Sequence, residues 1–256
     1  MPIFHKDRLK SVWTKINGVS MHARLSEIPV PASAPTVILV HGLAVSSGYM
    51  VPTALCLAPY YHVCAPDLPG FGKSAKPSYI LNVPELTDAL ANWMEVMQLP
   101  PSVPLGNSLG CQIIIDFAVR YPDRITHAVL VGPAIDQRAR SIHQQAFRLA
   151  LNMFREPFPF LFVAGREYLA TGPRRTVRTL KYAFADRMDA HLPFVRVPTL
   201  IVRGARDPLA PQDWTEEVYH LLPYSELVIV PGAAHAVNYN SPEKLAGIVR
   251  SFLSHG

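Results

Sequence analysis

Residues 104–110, PLGNSLG, place Ser108 between Gly106 and Gly110, directly after a short apolar segment. Such a pattern fits either an ordinary surface turn or a strained strand-to-helix turn that presents the serine as a nucleophile. The apolar run VPLGN precedes Ser108, and the amphipathic stretch LGCQIIIDFAVRY follows it and ends before Pro122. This context predicts a strand, a turn and a helix in that order, which favours the nucleophile.

Several physical features of such a turn agree with this interpretation. Glycines lack a Cβ, so the strand and the helix can approach each other closely around Ser108. The nucleophile adopts sparsely populated backbone angles, which store about 1–3 kcal/mol of strain. The helix N-terminus also directs free N–H groups and the positive end of its dipole toward developing negative charge.

The other strand candidates are apolar runs, mostly rich in β-branched residues and bounded by Gly, Pro or Asp. They are SVWTKI, VSMHARL, TVILVHG, YHVCAPD, HAVLVGP, TLIVRGA and SELVIVPG. Asn17-Gly18 joins the first two as a hairpin. From TVILVHG onward, helical patterns alternate with strands, which predicts an α/β fold with a mostly parallel, eight-stranded sheet flanked by helices.

The alternation breaks in residues 136–191, where only helical patterns are found. We therefore expect a helical cap, inserted between the sixth and seventh strands of a core formed by residues 1–135 and 192–256. Open α/β sheets bind ligands at the carboxyl edge of their strands, so we expect the cap to cover this edge. Its two apolar stripes should pack against the sheet; they are Ile142, Ala146, Leu149 and Met153, and Val177, Leu180, Phe184 and Met188.

The formal net charge of +5 is unevenly distributed. Residues 137–190 hold ten Lys/Arg and four Asp/Glu, a net charge of +6, which leaves −1 for the rest of the chain. A solvated outer helix face is the simpler explanation, and a preference for anionic substrates is the alternative. The chain has no long basic tract with interleaved aromatics, so we expect a small-molecule substrate and no nucleic-acid partner.

Three further expectations concern the surroundings of the protein. No apolar run reaches the roughly 18–20 residues that span a bilayer, which predicts no membrane partner. The first residues lack the long apolar region of a secretory signal, so we expect a cytoplasmic protein. Cys56, Cys64 and Cys111 have no metal-like spacing and are expected to be reduced thiols. We expect no cofactor and no metal, and the oligomeric state is left open.

A serine nucleophile needs a base and an acid that orients the base. His235 comes directly after the last strand, and Asp207 follows the strand TLIVRGA, so both should lie at the carboxyl edge with Ser108. The chain order Ser, Asp, His is the order that this kind of fold requires. Asp136, after the strand HAVLVGP, is the rival acid, because an Asp before Pro208 can also serve only to start a turn.

An oxyanion hole requires two N–H donors near the nucleophile. Leu109, the residue after Ser108, is one candidate, and Leu43, in the loop HGLAVSSG after TVILV, is the other. We interpret His41 in that loop as a structural hydrogen-bonding residue rather than as a base. Ser46 and Ser47 are typical of a helix N-cap.

The chain resembles the α/β-hydrolase superfamily over nearly its whole length. The stretches that carry the resemblance are VHGLAVSSG, APDLPGFGKS, GNSLG, GARDPLAP and PGAAHAVNYNSPEKL. The resemblance implies a catalytic triad of Ser108, Asp207 and His235, with Leu43 and Leu109 as oxyanion donors.

The resemblance also bears on the reaction. Dehalogenase and epoxide hydrolase relatives carry an aspartate where this chain has Ser108, which disfavours those reactions. Among serine members, Asn107 is similar to the pattern of meta-cleavage-product C–C hydrolases, and Arg174 and Arg175 are candidate carboxylate ligands. Those hydrolases carry a glycine-rich stretch in place of LAVSSG and a tryptophan in place of Ala236. We therefore favour an esterase or lactonase over C–C cleavage, and a ligand-binding receptor with a vestigial triad is the alternative of another class.

Overall fold

The computed structural model describes residues 8–136 and 142–254. Within these residues, eight strands form one sheet in the order β1-β2-β4-β3-β5-β6-β7-β8. Only β2 pairs antiparallel, with β1 and with β4, and the other pairs are parallel. The predicted mostly parallel, eight-stranded sheet is confirmed. Its strands are β1 Leu9–Ile16, β2 Val19–Ser26, β3 Thr36–Val40, β4 His62–Pro66, β5 Val103–Asn107, β6 Ala128–Val131, β7 Thr199–Gly204 and β8 Ser225–Val230.

Helices flank this sheet and also fill the interval between β6 and β7. None of the described helices is long and apolar enough to cross a lipid bilayer. The flanking helices are α1 Ser47–Leu57, α2 Val83–Val96, α3 Leu109–Arg120, α8 Gln212–Leu221, α9 Val237–Asn240 and α10 Pro242–Ser254. The helices between β6 and β7 are α4 Ile142–Arg155, α5 Phe158–Thr171, α6 Pro173–Ala185 and α7 Met188–His191.

The central strands are buried on both faces, because helices cover the two sides of a parallel sheet. Successive side chains of β3 alternate between two apolar clusters: Ile38 and Val40 contact one, and Val37 and Leu39 the other. The cluster of Ile38 includes α2 and α3, whereas that of Val37 includes α1 and α10. The carboxyl ends of β5, β6 and β7 are therefore anchored in the core.

Local signals in the sequence set the helix ends. Ser46 caps α1 as predicted, because its side chain accepts a hydrogen bond from the Gly48 N–H at 3.2 Å. Asn82 and Glu85 form a capping box at the start of α2.

The predicted reduced state of the three cysteines agrees with their free thiols, and burial raises the pKa of Cys64 to about 12.

We call residues 142–191 the cap segment. Its contacts reach loops that follow four different strands of the sheet, all at the carboxyl edge. The pairs are Arg148 with Asp136, Arg155 with Arg206, Glu156 with Ala236, and Ala170 with Lys76. The cap segment therefore extends across the edge at which Ser108, Asp207 and His235 lie.

The expected packing of the apolar stripes was wrong for the described residues of α4, whereas Phe184 and Met188 of the second stripe do pack against the core. Leu149 and Met153 of α4 and Val177 of α6 are exposed, and of the second stripe only Met188 is fully buried. The side chains of Ile142 and Ala146 lie outside the described residues. The buried residues of this part of the cap segment are largely polar: Asn152 of α4, Glu156 just after it, and Thr176 and Thr179 of α6. Glu156 accepts from the Ala236 N–H of the loop after β8.

Candidate active site

Ser108 occupies the turn between β5 and α3. Its backbone angles are φ 57° and ψ −115°, a conformation that residues with a side chain rarely adopt. Its N–H donates to the Val131 carbonyl at 3.1 Å, so the neighbouring strand β6 holds the turn in place. The side chain is half-buried at the end of the strand. This is the geometry of a nucleophile elbow.

The glycines on both sides of Ser108 are steric requirements of this turn. A Cβ on Gly106 would lie 2.6 Å from the Gly110 carbonyl carbon, and a Cβ on Gly110 would lie 2.5 Å from the Val40 carbonyl oxygen. Both distances are shorter than real Cβ contacts, and the obstructing atoms belong to the backbone. The two glycines therefore allow the start of α3 to lie directly against β5 and β3.

His235 and Asp207 form a hydrogen-bonded pair. The His235 Nδ1 lies 2.8 Å from the Asp207 Oδ2, and both residues are buried. The other carboxylate oxygen, Oδ1, accepts from the Leu209 N–H at 2.8 Å and the Ala210 N–H at 3.1 Å. Because an ionised carboxylate only accepts, the proton resides on Nδ1 of a neutral His235 and leaves Nε2 free to accept another.

The electrostatic surroundings favour the protonated form of His235. Burial by itself lowers the pKa of this imidazole, but the charge and hydrogen bond of Asp207, with the charge of Glu156, outweigh it. The pKa of His235 therefore lies above its ordinary value of 6.5. A base with this property accepts a proton readily.

Asn107 connects the nucleophile turn to the histidine loop. Its Nδ2 donates to the His235 carbonyl at 3.3 Å and to the Val131 carbonyl at 3.1 Å. Its Oδ1 accepts from the Tyr49 hydroxyl at 3.2 Å. Both polar atoms of the side chain thus bond to the protein, which gives Asn107 a structural role, and its substrate-binding role stays a prediction.

The two expected oxyanion donors lie on either side of Ser108. Leu109 is the first residue of α3, where a backbone N–H has no partner within the helix. The loop that carries Leu43 comes close from the other side, since a Cβ on Gly42 would lie 3.3 Å from the Ser108 Cβ. Within the described part of the chain, the N–H of Leu43 donates to no protein acceptor.

His41 in the same loop is a structural residue, as predicted. Its Nδ1 lies 2.9 Å from the Gly42 carbonyl oxygen, and its Nε2 accepts from the Leu68 N–H at 3.1 Å. Burial lowers its pKa, which favours the neutral ring that this arrangement requires.

The rival acid, Asp136, has a different partner. It is buried after β6, and its Oδ2 lies 3.4 Å from the Arg148 guanidinium of α4. Among the described residues, the carboxylate that contacts His235 Nδ1 is that of Asp207.

A second histidine–aspartate pair was not anticipated from the sequence. His22 Nδ1 lies 2.8 Å from Asp67 Oδ2, and His22 Nε2 lies 3.0 Å from Ser11 Oγ. Ser11, however, sits within the extended strand β1, where it is paired with Arg24 of β2, and not at a strand-to-helix turn. Asp67 also accepts from the N–H groups of Ser47 and Lys73. This cluster therefore ties the β1–β2 hairpin to the loop after β4.

Glu156 is a further buried group, and no sequence motif marks it. It lies between α4 and α5, and its Oε1 accepts from the Ala236 N–H at 2.8 Å. Its Oε2 accepts from the Asn240 Nδ2 at 2.5 Å. Burial raises the pKa of this carboxyl above 4.5. A cap carboxylate thus holds the backbone of the residue that follows His235.

The arrangement of the site and the sheet agrees with a known family. The family model described as "Alpha/beta hydrolase family" matches residues 37–248. The chain belongs to this alpha/beta hydrolase family.

Individual relatives of this chain are distant. The 1-acylglycerol-3-phosphate O-acyltransferase of Arabidopsis thaliana is 31% identical over 106 residues, which are 40% of this chain and 25% of that protein. The chain spans about a quarter of the length of the first plant relatives that it matches. Carboxylesterase YbfK of Bacillus subtilis is 26% identical over 252 residues, which are 88% of this chain and 82% of that protein.

Solved structures share the fold. The enol-lactonase from Burkholderia xenovorans LB400 superposes with a TM-score of 0.80 at 19% identity, covering 95% of this protein and 100% of that chain. The crystal structure of the Bacillus subtilis carboxylesterase gives a TM-score of 0.78 at 21% identity, covering 97% and 92% of the two chains. At these identities the likeness concerns the fold alone.

The two expected carboxylate ligands, Arg174 and Arg175, differ in their surroundings. Arg174 is exposed at the start of α6. Arg175 turns inward, but it packs against Gly70 and donates to the Pro77 carbonyl at 3.1 Å. Arg175 therefore joins the cap segment to the loop after β4, and a carboxylate-binding role of the two arginines stays a prediction.

Proposed function

We propose that this protein is a serine hydrolase that cleaves carboxylic esters or lactones through an acyl-enzyme on Ser108. The observation that carries the proposal is the 2.8 Å contact between His235 Nδ1 and Asp207 Oδ2, at the edge of the sheet where Ser108 forms a strained elbow. A base in the correct tautomer and a serine held on a sharp turn are what nucleophilic acyl transfer requires.

The first half of the reaction forms the acyl-enzyme. His235 Nε2 takes the hydroxyl proton as Ser108 Oγ attacks the substrate carbonyl carbon. The N–H groups of Leu43 and Leu109 stabilise the oxyanion of the tetrahedral intermediate. The carbon–oxygen bond then breaks, and the leaving alcohol receives the proton from the His235 imidazolium, whose charge Asp207 stabilises.

The second half returns the free enzyme. His235 takes a proton from water, whose oxygen attacks the acyl carbon. Collapse of this second intermediate breaks the bond to Ser108 Oγ, which regains its proton from His235. The products are a carboxylic acid and an alcohol, or one hydroxy acid when the substrate is a lactone.

The names of two relatives support this class of substrate. A carboxylesterase matches most of the chain in sequence, and both it and an enol-lactonase share the fold. Both reactions break a carbon–oxygen bond next to a carbonyl group, which is the bond that the proposed residues are arranged to cleave.

Substitution of the serine tests the proposal. Ser108→Ala should lower kcat for a nitrophenyl ester by a factor on the order of 10⁶ if the three residues act as a unit. Ser11→Ala is the matched control, because Ser11 also contacts a histidine–aspartate pair, and it should leave kcat unchanged. A serine-directed organophosphonate should label Ser108 alone. Activity that survives Ser108→Ala, or labelling at Ser11, would overturn the assignment.

A substrate panel then separates the remaining reactions. It consists of nitrophenyl esters of several chain lengths, a few lactones and a vinylogous dienoate. Turnover of the dienoate alone would indicate C–C cleavage. Slow turnover of every compound, together with a large ligand-induced rise in melting temperature, would indicate a receptor.

A further inference from the structure

Helix α4 is amphipathic, but its apolar side faces away from the protein. Asn152, near its end, is buried, as is Glu156 just beyond it, and Arg148 forms an ion pair with the buried Asp136. Phe147 and Phe154, seven residues apart and therefore on one face, are exposed, with 88% of Phe154 accessible to solvent. This is the reverse of the usual orientation of a surface helix, whose apolar stripe faces the core.

Helix α5 also carries apolar residues on its outer side. Its inner side includes the buried Glu167 and Thr171, four residues apart, and the half-buried Phe160, which packs against the core. Phe158 and Phe162, also four residues apart, are 83% and 74% exposed, and Leu169 continues the same stripe. Phe154 and Phe158 stand on either side of Glu156, whose side chain points toward the His235 loop. The exposed phenylalanines thus project from the outside of the cap segment, opposite its contacts with the core.

Exposed aromatic side chains are concentrated in this region. Four of the five exposed phenylalanines in the described part of the chain are Phe147, Phe154, Phe158 and Phe162. Single exposed apolar residues are common on protein surfaces, but clustered ones mark an interaction site. We call these four residues, with Leu169, the apolar cap face.

Positive charge accompanies the apolar cap face. Arg166 lies in the stripe itself, four residues after Phe162, and its side chain is exposed. Helix α6 packs against α5. Its exposed side carries Arg174, Arg178 and Lys181 at helical spacing. Across residues 137–190 the sequence carries a net charge of +6. An apolar stripe with adjoining arginines and lysines is typical of a surface that lies in the interface of an anionic membrane.

We propose that the apolar cap face docks onto an anionic lipid surface, with the phenylalanines inserted among the headgroups and α6 facing the lipid phosphates. The expectation of no membrane partner rested on the lack of a bilayer-spanning run, which does not bear on docking at a surface. A second copy of this chain fits the apolar cap face less well than a lipid surface does, because a two-fold contact would bring like charges of the two cap segments together. Docking by this face would place the cap segment, and the site beneath it, against the membrane.

Vesicle co-sedimentation of the full chain tests the proposal. The protein should bind vesicles of phosphatidylcholine with roughly one quarter phosphatidylglycerol, and bind phosphatidylcholine alone at least about tenfold more weakly. Binding should fall between about 0.1 M and about 0.5 M NaCl, because salt screens the charge attraction. Phe154→Ser and Phe158→Ser should each reduce partitioning by about tenfold, the cost of withdrawing one aromatic side chain from an apolar environment.

Matched variants separate the electrostatic and the apolar contributions to vesicle binding. Arg174→Gln with Arg178→Gln should weaken binding to anionic vesicles at least about tenfold and remove most of the salt dependence. Tyr224→Ser is the control, because Tyr224 is also an exposed aromatic residue but precedes β8 at the opposite edge of the sheet. It should bind as the wild type does. Circular dichroism establishes that each variant is folded.

Three outcomes would overturn the proposal. One is equal binding to neutral and anionic vesicles, another is equal loss of binding in the Tyr224→Ser control, and the third is no vesicle binding at all. A dimer in sedimentation analysis that Phe154→Ser dissociates, without vesicle binding, would identify a second copy as the occupant. Ser108→Ala should bind vesicles normally, so failure of the proposed hydrolase activity and failure of lipid docking are distinguishable.

Discussion

Asp207→Asn provides a sharp test of the proposed triad, because the surroundings of Asp207 dictate how an asparagine would sit. The Oδ1 atom accepts from the N–H groups of Leu209 and Ala210. An asparagine must keep its carbonyl oxygen at that position, which turns its NH₂ group toward His235 Nδ1. A donor there requires Nδ1 to accept, so the imidazole proton moves to Nε2. In this tautomer His235 cannot take the proton of Ser108.

The size of the effect follows from the charge that is lost. The carboxylate and the imidazolium that forms during the reaction have charge centres about 4 Å apart, which corresponds to about 4 kcal/mol at an effective dielectric constant of about 20. That energy is a factor of about 10³ in rate. The unfavourable tautomer adds to it, so we expect kcat to fall by about 10³ to 10⁴. KM should change little, because Asp207 is buried and contacts His235 rather than the substrate.

The assay is steady-state hydrolysis of a nitrophenyl ester, together with the rate of acylation in a single turnover. Asp136→Asn is the matched control, since Asp136 is also a buried aspartate that follows a parallel strand. It should retain most of the activity if it folds as the wild type does. A larger loss in Asp136→Asn than in Asp207→Asn, or less than a tenfold loss in a folded Asp207→Asn variant, would refute the assignment of the acid.

Three further predictions concern pH and stability. The ratio kcat/KM should rise with pH through an apparent pKa above 6.5 and then level off, because His235 must be neutral to act as the base; a profile flat from about pH 5 to about pH 9 under chemistry-limited conditions would exclude a histidine base. Glu156→Gln should shift that rise to lower pH, because the charge of Glu156 raises the pKa of His235, and an unmoved profile would assign Glu156 a purely structural role. Burial by itself raises the pKa of the Asp67 carboxyl, but the hydrogen bond from His22 and other contacts outweigh it and lower the pKa from 3.8 to about 2. The ionised carboxylate should therefore contribute about 2 kcal/mol to the free energy of unfolding above about pH 4, and this contribution should be lost as the pH falls to about 2. Urea unfolding of Asp67→Asn and wild type at both pH values measures it, and a difference that persists at low pH would contradict it.

The strands and the nucleophile turn were predictable because their signals are local. A β-branched run bounded by turn residues identifies a strand without reference to the rest of the chain. Ser108, with its flanking glycines between such a run and an amphipathic stretch, defines an elbow in the same way. The alternation of strands and helices then leaves few possible topologies, and the parallel sheet follows.

The partner of His235 was not decided by local signals. Asp136 and Asp207 each follow a buried strand, and parallel strands bring their carboxyl ends to the same edge, so the sequence favoured one without excluding the other. Only the packed structure places Asp207 at 2.8 Å from His235 Nδ1 and Asp136 beside Arg148. The distinction depends on the order of strands and the path of each loop, which are properties of the whole sheet.

The orientation of the helices in the cap segment was not predictable from the periodicity of the sequence. The pattern of α4 correctly indicates a helix with one apolar face, but it carries no information on which side of the helix meets the protein. Tertiary contacts decide this. Glu156 accepts a hydrogen bond from Ala236, eighty positions along the chain. Losing the buried donors of this carboxylate would cost more free energy than exposing Phe154 to water does. An unpaired buried polar group costs as much free energy as an apolar side chain gains by burial. The sequence therefore determines the elements and their amphipathic faces, whereas the tertiary structure decides which face is inside, because only the assembled core provides the partners.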